Sequence, residues 1–261
     1  PEPEGAERLP DADEKAIYQR APFSSRRGVK PYLTPSHKAV PPEKCVDPAK
    51  VVDLTAKMDA SGRLTWHVPE GRWTILRVGR RLTGQTTRPA PKPGLGFETS
   101  KFDRGAIERH LHDYADKILA AAGSRRPGRG LTTLHFDSWE MSAQNGSAEF
   151  FKEFERRRGY SPLPYIPAIN GRIVRSTEIT ERFLFDWRQT AQELVIENQL
   201  LPIKEFAHSK GLVMSSEPYD MNPCCDITSG AVADVPMCEF WSKGMGCPAE
   251  YSCVESVSIA H

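Results

Sequence analysis

An excess of charge of one sign is the first thing this 261-residue chain lacks: 35 Lys and Arg stand against 34 Asp and Glu, for a formal net charge of +1. That balance removes the electrostatic basis for binding nucleic acid or an anionic membrane surface. No apolar run approaches the ~20 residues a membrane helix needs. The opening stretch, Pro1 to Pro10, is polar and Pro-rich, the opposite of a secretory leader, so an export signal is not expected in this chain. Phosphate-cradling loops, nucleophile elbows and H-E-x-x-H metal motifs are missing. The G-L-G at 94 to 96 does not open a helix after a strand and is no dinucleotide fingerprint.

Cysteine is present but not in zinc-binding order. Five of the six fall between Cys224 and Cys253, at spacings that give no C-x2-C pair. Disulfide pairing of some of them, for example Cys247 with Cys253, competes with a reading as small buried hydrophobes. The usage leans toward an oxidising compartment without deciding it.

Residues 1 to 44 are rich in Pro and charge and read as a linker or irregular segment, with a small β-rich segment over 45 to 93. In that second stretch Leu64, Trp66 and Val68 alternate with polar neighbours, as do Trp73 and Ile75. Turn residues at 59 to 62 and 69 to 71 separate the runs, which predicts short antiparallel strands. From 94 to 261 the pattern changes to helices alternating with short apolar runs. A helix is predicted over Arg104 to Ala122, with Ile107, Leu111, Tyr114, Ile118 and Leu119 on one face and Gly123 as its stop. Further helices are predicted over 147 to 158, closed by Gly159, and over 178 to 201, where Pro202 kinks or ends the element. Strands are expected at 131 to 136, 212 to 216 and within 231 to 240. Strand, polar cluster, helix, repeated, is the signature of a parallel α/β architecture, and in a (β/α)8 TIM-type barrel the polar residues past each strand end build the active site. Only about three such units are visible, so the expected fold is a partial barrel or another α/β fold.

Three clusters carry acids to predicted strand ends. The first is H-F-D-S-W-E, 135 to 140. An acid beside an aromatic at the end of a buried strand suits a glycosidase proton donor, because an apolar wall keeps the carboxyl protonated and the ring supports a sugar. The plainer alternatives are that Asp137 caps a turn, Glu140 is a solvated loop residue, His135 is a satisfied histidine and Trp139 is core. The second is S-S-E-P-Y-D, 215 to 220, bringing Glu217, Tyr219 and Asp220 to another strand end. Glycoside hydrolysis requires two carboxylates, one to donate a proton and one to activate water or attack. A Pro-containing turn with ordinary exposed acids is the alternative. The third is M-C-E-F-W, 237 to 241, where Glu239 and Trp241 suit a sugar subsite or a cation site, against a reading in which Phe240 and Trp241 are core.

Taken in order, several words resemble glycoside hydrolase family 106: V-D-L-T (52 to 55), G-R-L-T-W-H-V-P-E-G-R-W-T-I-L-R-V-G (62 to 79), Gly94 to Lys101, and H-F-D-S-W-E with Q-N-G (144 to 146). F-E-R-R-R-G-Y-S-P-L-P-Y-I-P (154 to 167), Glu217-Pro218, E-F-W (239 to 241) and E-S-V-S-I-A-H (255 to 261) continue the likeness, which runs from about Val51 to His261. The resemblance implies a periplasmic or secreted α-L-rhamnosidase with a (β/α)8 catalytic domain and β-rich additions. It further implies inversion by two glutamates and dependence on calcium at the sugar site. By motif Glu140 matches the general acid and Glu239 a position of the calcium site, with Glu217 or Asp137 within reach of it. His135, Asp137, Trp139, Asn145, Glu217, Tyr219, Trp241 and His261 are then expected around a rhamnose-containing carbohydrate. The family's second glutamate belongs to sequence beyond His261, so this chain is expected to be a catalytic-domain fragment. A barrel glycosidase of another sugar specificity and a non-catalytic carbohydrate-binding protein are the rival readings.

Overall fold

The apolar periodicity after residue 96 is realised as helices joined by short strands in the computed structural model, which describes residues 3–17, 34–86, 90–123, 129–138, 144–218, 224–238 and 249–261. In chain order these form α1 (Ala12–Ile17), α2 (Arg104–Ala122), β1 (Thr133–Phe136), α3 (Phe150–Arg158) and α4 (Thr177–Val195). A π-helical turn (Ile196–Leu200), α5 (Leu201–Ser209), β2 (Val213–Ser216), α6 (Asp226–Gly230), β3 (Val235–Pro236) and α7 (Ala249–Ala260) follow. They divide between two compact units, one drawn from Pro1–Ile17, Tyr32–Arg80 and Ala148–Thr190, the other from Tyr18–Pro31, Arg81–Ser147 and Ala191–His261.

The first unit is built on an aromatic core. Phe150 and Phe154 lie four apart on α3, so they share one face, and both are buried against Phe183 and Trp187 of α4. Tyr160 packs edge-on to Phe154 at 5.1 Å and donates its hydroxyl to Asp186 at 2.8 Å. Burial and then that carboxylate push the Tyr160 phenol far above its ordinary range. Gly159 ends α3 in the left-handed region at φ 77°, where its amide satisfies the Glu155 carbonyl. The α1 segment is anchored by Lys15, which is only 1% exposed and pairs with Glu181 at 2.5 Å, the same carboxylate oxygen accepting from the Ser36 amide at 2.6 Å. A buried charge is tolerated only with such partners.

The second unit carries the sheet. Three parallel strands pair in the order β1-β2-β3, with Thr133 opposite Val213, Phe136 opposite Ser216 and Ser216 opposite Pro236. Parallel pairing needs a long crossover between strands, and α3, α4 and α5 lie in the chain between β1 and β2. Pro236, which has no amide hydrogen, sits on a strand that pairs on one side only among the described residues, where a missing donor costs least. Asp103 caps α2 by accepting from the Ala106 amide at 3.0 Å. On α2 Ile107, Leu111 and Ala115 are buried, whereas Tyr114 and Ile118 of the expected apolar face are exposed. The helix meets α5 along a narrow stripe, with His112 edge-on to Phe206 at 5.4 Å and Lys210 paired with Asp116 at 2.6 Å. Pro202 stands in the first turn of α5, and the helical backbone runs on from the π turn into that helix. The wider π turn before it takes up the missing amide bond, and Leu200 and Leu201 keep helical backbone angles.

The antiparallel β segment expected over 45 to 93 does not form as strands. Among its described residues there are isolated bridges only, Met58 to Leu64 and Thr86 to Phe97 antiparallel and Val46 to Val174 parallel. The reason is burial: of the alternating residues Val68 and Ile75 are more than half exposed, and Leu64, Trp66 and Trp73 are only half-buried, so the face finds little to pack against among the described residues. A short hairpin without a buried face is marginal. The α/β class with a parallel sheet is observed, but no closed barrel is formed among the described residues.

Candidate active site

Strand register places the chemistry. Side chains two apart on a strand share a face, so His135 and Asp137 point the same way, as do Ser215 and Glu217. Because His135 is the partner of Ser215 in the parallel ladder, the two pairs align side by side. The result is a cluster of His135, Asp137 and Glu217 whose ligand atoms all lie within 4.8 Å of one another. His135 Nδ1 is 3.0 Å from the hydroxyl of Ser215, which is itself buried and fixes the ring's orientation. Asp137 Oδ1 accepts from the Ser138 amide at 2.8 Å, and the Glu217 amide donates to the Phe136 carbonyl at 3.3 Å, which extends the ladder past β2. His135 and Asp137 are exposed and Glu217 half-buried, so the cluster is open to a ligand. Two carboxylates this close repel, and a cation or the hydroxyls of a sugar relieve that repulsion.

The donor set can be weighed for calcium. Asp137 and Glu217 supply hard oxygens from separate strand ends, as calcium prefers, whereas the imidazole of His135 is a softer donor that calcium rarely takes. Two of the three groups therefore fit, and His135 fits better as a hydrogen-bond partner for a hydroxyl. Trp139, Glu140, Tyr219, Asp220, Glu239 and Trp241 lie outside the described residues. Asn145 is half-buried next to Gln144, whose side chain accepts from the Lys101 amide at 2.9 Å and donates to Ser100 Oγ at 3.0 Å. His261 is exposed at the end of α7, its amide 3.3 Å from the Val257 carbonyl.

Two features escaped the sequence. Ser215 holds His135, and only the pairing of strands separated by eighty residues brings them together. Asp234 ties the sheet: its Oδ2 accepts from the Met214 amide and from His208 Nε2, each at 2.8 Å, and Lys204 reaches Oδ1 at 3.1 Å. Partial burial raises the Asp234 pKa, but the Met214 amide, His208 and Lys204 outweigh it and hold the carboxyl down at about 2. Among the cysteines, Cys45 and Cys224 are buried thiols, as the small-hydrophobe reading expects. Burial pushes the Cys224 thiol up to about 12. Cys247 lies outside the described residues.

The family of glycoside hydrolases numbered 106, described as alpha-L-rhamnosidase, matches residues 7–261. A protein of Formosa agariphila named "Putative beta-glucuronidase" is 36% identical over 244 residues, covering 94% of this chain and 20% of the relative. The solved structure of a rhamnosidase from Novosphingobium sp. PP1Y is similar at a TM-score of 0.67 and 30% identity, over 85% of this chain and 22% of that one. The chain thus spans about a fifth of the length of these relatives. Sequence words, the parallel strand-end cluster and a family match over nearly the whole length converge: this chain belongs to glycoside hydrolase family 106.

Proposed function

We propose that this chain is part of the catalytic domain of a glycosidase that removes terminal α-L-rhamnose from oligo- or polysaccharides with inversion, in the periplasm or outside the cell. The observation that carries the reading is the meeting of Asp137 and Glu217, just past the ends of two parallel strands, with His135 of β1, where barrel enzymes place their active sites. In this reading the three-stranded sheet is a sector of a (β/α)8 barrel. Glu140 protonates the leaving oxygen as general acid, and a base supplied from beyond His261 activates water on the opposite face of the sugar. Asp137 and Glu217, with Glu239, are the groups that would hold calcium, and a bound calcium would fix two neighbouring sugar hydroxyls in place. His135, oriented by Ser215, is placed to hydrogen-bond a ring hydroxyl, and Trp139, Tyr219 and Trp241 are the aromatic surfaces proposed for the sugar faces, with Asn145 and His261 at the margin.

A second sugar specificity has one specific support, the glucuronidase name of the Formosa agariphila protein. The fold does not choose between sugars. Aryl α-L-rhamnoside and aryl β-glucuronide should be offered in parallel to the full gene product, with calcium and after chelation, while NMR follows the first anomer released. We expect calcium-dependent release of β-L-rhamnose and no glucuronide cleavage. Glucuronide turnover alone would overturn the assignment of the sugar, and retention of the α anomer would overturn the mechanism.

A further inference from the structure

Cys238 and Cys253 form a second chemical centre beside the carboxylate cluster, with Glu217 near enough to act on the Cys238 thiol electrostatically. Cys238 lies two residues past β3, and Cys253 lies on α7. Their sulfurs are 3.6 Å apart, and both residues are half-buried, so small thiol reagents can reach them. One turn along α7, the buried Ser256 hydroxyl donates to the Met237 carbonyl at 2.5 Å. Cys253 and Ser256, three apart on the helix, therefore grip adjacent residues of the same strand extension. That second anchor holds the two thiols in register.

We propose that Cys238 and Cys253 are the sites of a reversible disulfide that clamps α7 to the end of β3. A disulfide needs its sulfurs at about 2.05 Å. The gap to be closed is therefore about 1.5 Å, within the reach of side-chain rotation while the Ser256 anchor holds the helix in place. The oxidant is a small-molecule disulfide of the glutathione type. One thiolate attacks a sulfur of the oxidant and expels the first thiolate, leaving a mixed disulfide. The second cysteine loses its proton to solvent and attacks the protein-bound sulfur, forming the Cys238–Cys253 bond and expelling the second thiolate. The two cysteines are oxidised and one molecule of oxidant becomes two thiols. The bond closes a loop of 15 residues, which favours the docked helix over the released one by on the order of 100-fold in the chain-entropy picture.

The experiment is independent of any glycosidase activity. Equilibrate the chain in glutathione buffers of increasing oxidised fraction, quench in acid, alkylate the remaining thiols and digest with Asp-N and Glu-C. These enzymes put Cys238 and Cys253 on peptides free of the other cysteines. A linked pair of those two peptides, two hydrogens lighter than the sum, is expected to accumulate and to disappear in Cys253→Ser, which instead carries glutathione on Cys238. Amide exchange in α7 should slow in the oxidised chain and not in that variant. Full alkylation of both cysteines in the most oxidising buffer, or a link from Cys253 to Cys247, would overturn the assignment. A bond that forms without protecting α7 would overturn the clamp.

Discussion

At the scale of single residues, the site rests on where a strand pair places side chains rather than on how acidic the segment is. His135 gains a fixed orientation from Ser215, and Asp137 meets Glu217 because each follows its own strand by one residue in an aligned ladder. The role proposed for Glu140 is read out by the leaving group. Protonation of the leaving group is worth roughly 10²–10⁴-fold where the departing oxygen needs a proton, and little where it does not. Glu140→Gln in the full gene product should therefore suppress cleavage of a disaccharide by that order while sparing an aryl rhamnoside with an activated phenol. Comparing kcat/KM for the two substrates reads the difference directly. An equal, small loss for both would mark Glu140 as a loop residue with no part in proton transfer.

At the scale of elements, the sheet depends on Asp234, which bonds to the Met214 amide at the start of β2 and receives His208 and Lys204 from α5. Its carboxyl is held at about 2 against an ordinary 3.8. A depressed carboxylate contributes stability that is present above the unfolded value and is lost as the pH falls through the folded one. The stabilisation from this group should therefore be complete above about pH 4 and should fade as the pH drops toward about 2. Asp234→Asn should be less stable at neutral pH, and its denaturant midpoint should change less across that acid window. A variant whose midpoints track the wild type at every pH would show that the ion pairs on Asp234 are too solvated to count. The β segment shows the opposite case. Alternation at Leu64, Trp66 and Val68 satisfies the strand pattern, yet period alone does not supply a surface to bury against.

At the scale of the whole molecule, the chain belongs to glycoside hydrolase family 106 and spans about a fifth of its relatives' length. An inverting site needs two carboxyl groups roughly 6.5–9.5 Å apart on opposite sides of the scissile bond. Asp137 and Glu217 stand closer than that to each other, their ligand atoms being within 4.8 Å, so this pair does not supply the spacing. The 261-residue chain alone should give no rhamnoside turnover above the buffer rate, with or without calcium, under conditions where the full gene product is active. Turnover by the chain at a rate near that of the full product would place the second carboxylate within it, with Glu217 the first residue to replace.

What the sequence determined by itself is the set of local elements. The α2 helix runs over Arg104–Ala122 between Asp103 and Gly123, and α3 ends at Gly159, because capping side chains and left-handed glycines act within a few residues of the chain they punctuate. The acids at the ends of β1 and β2 were legible for the same reason: a short apolar run that stops at a carboxylate is a local pattern. Which acids meet was decided by tertiary structure. The alignment of 135 with 215, the hold of Ser215 on His135, the tie from Asp234 into β2 and the approach of Cys253 to Cys238 join residues 15 to 80 positions apart. No periodicity encodes such distances. They follow from the packing of α5 on β2 and of α7 on β3, elements that meet only in the folded chain.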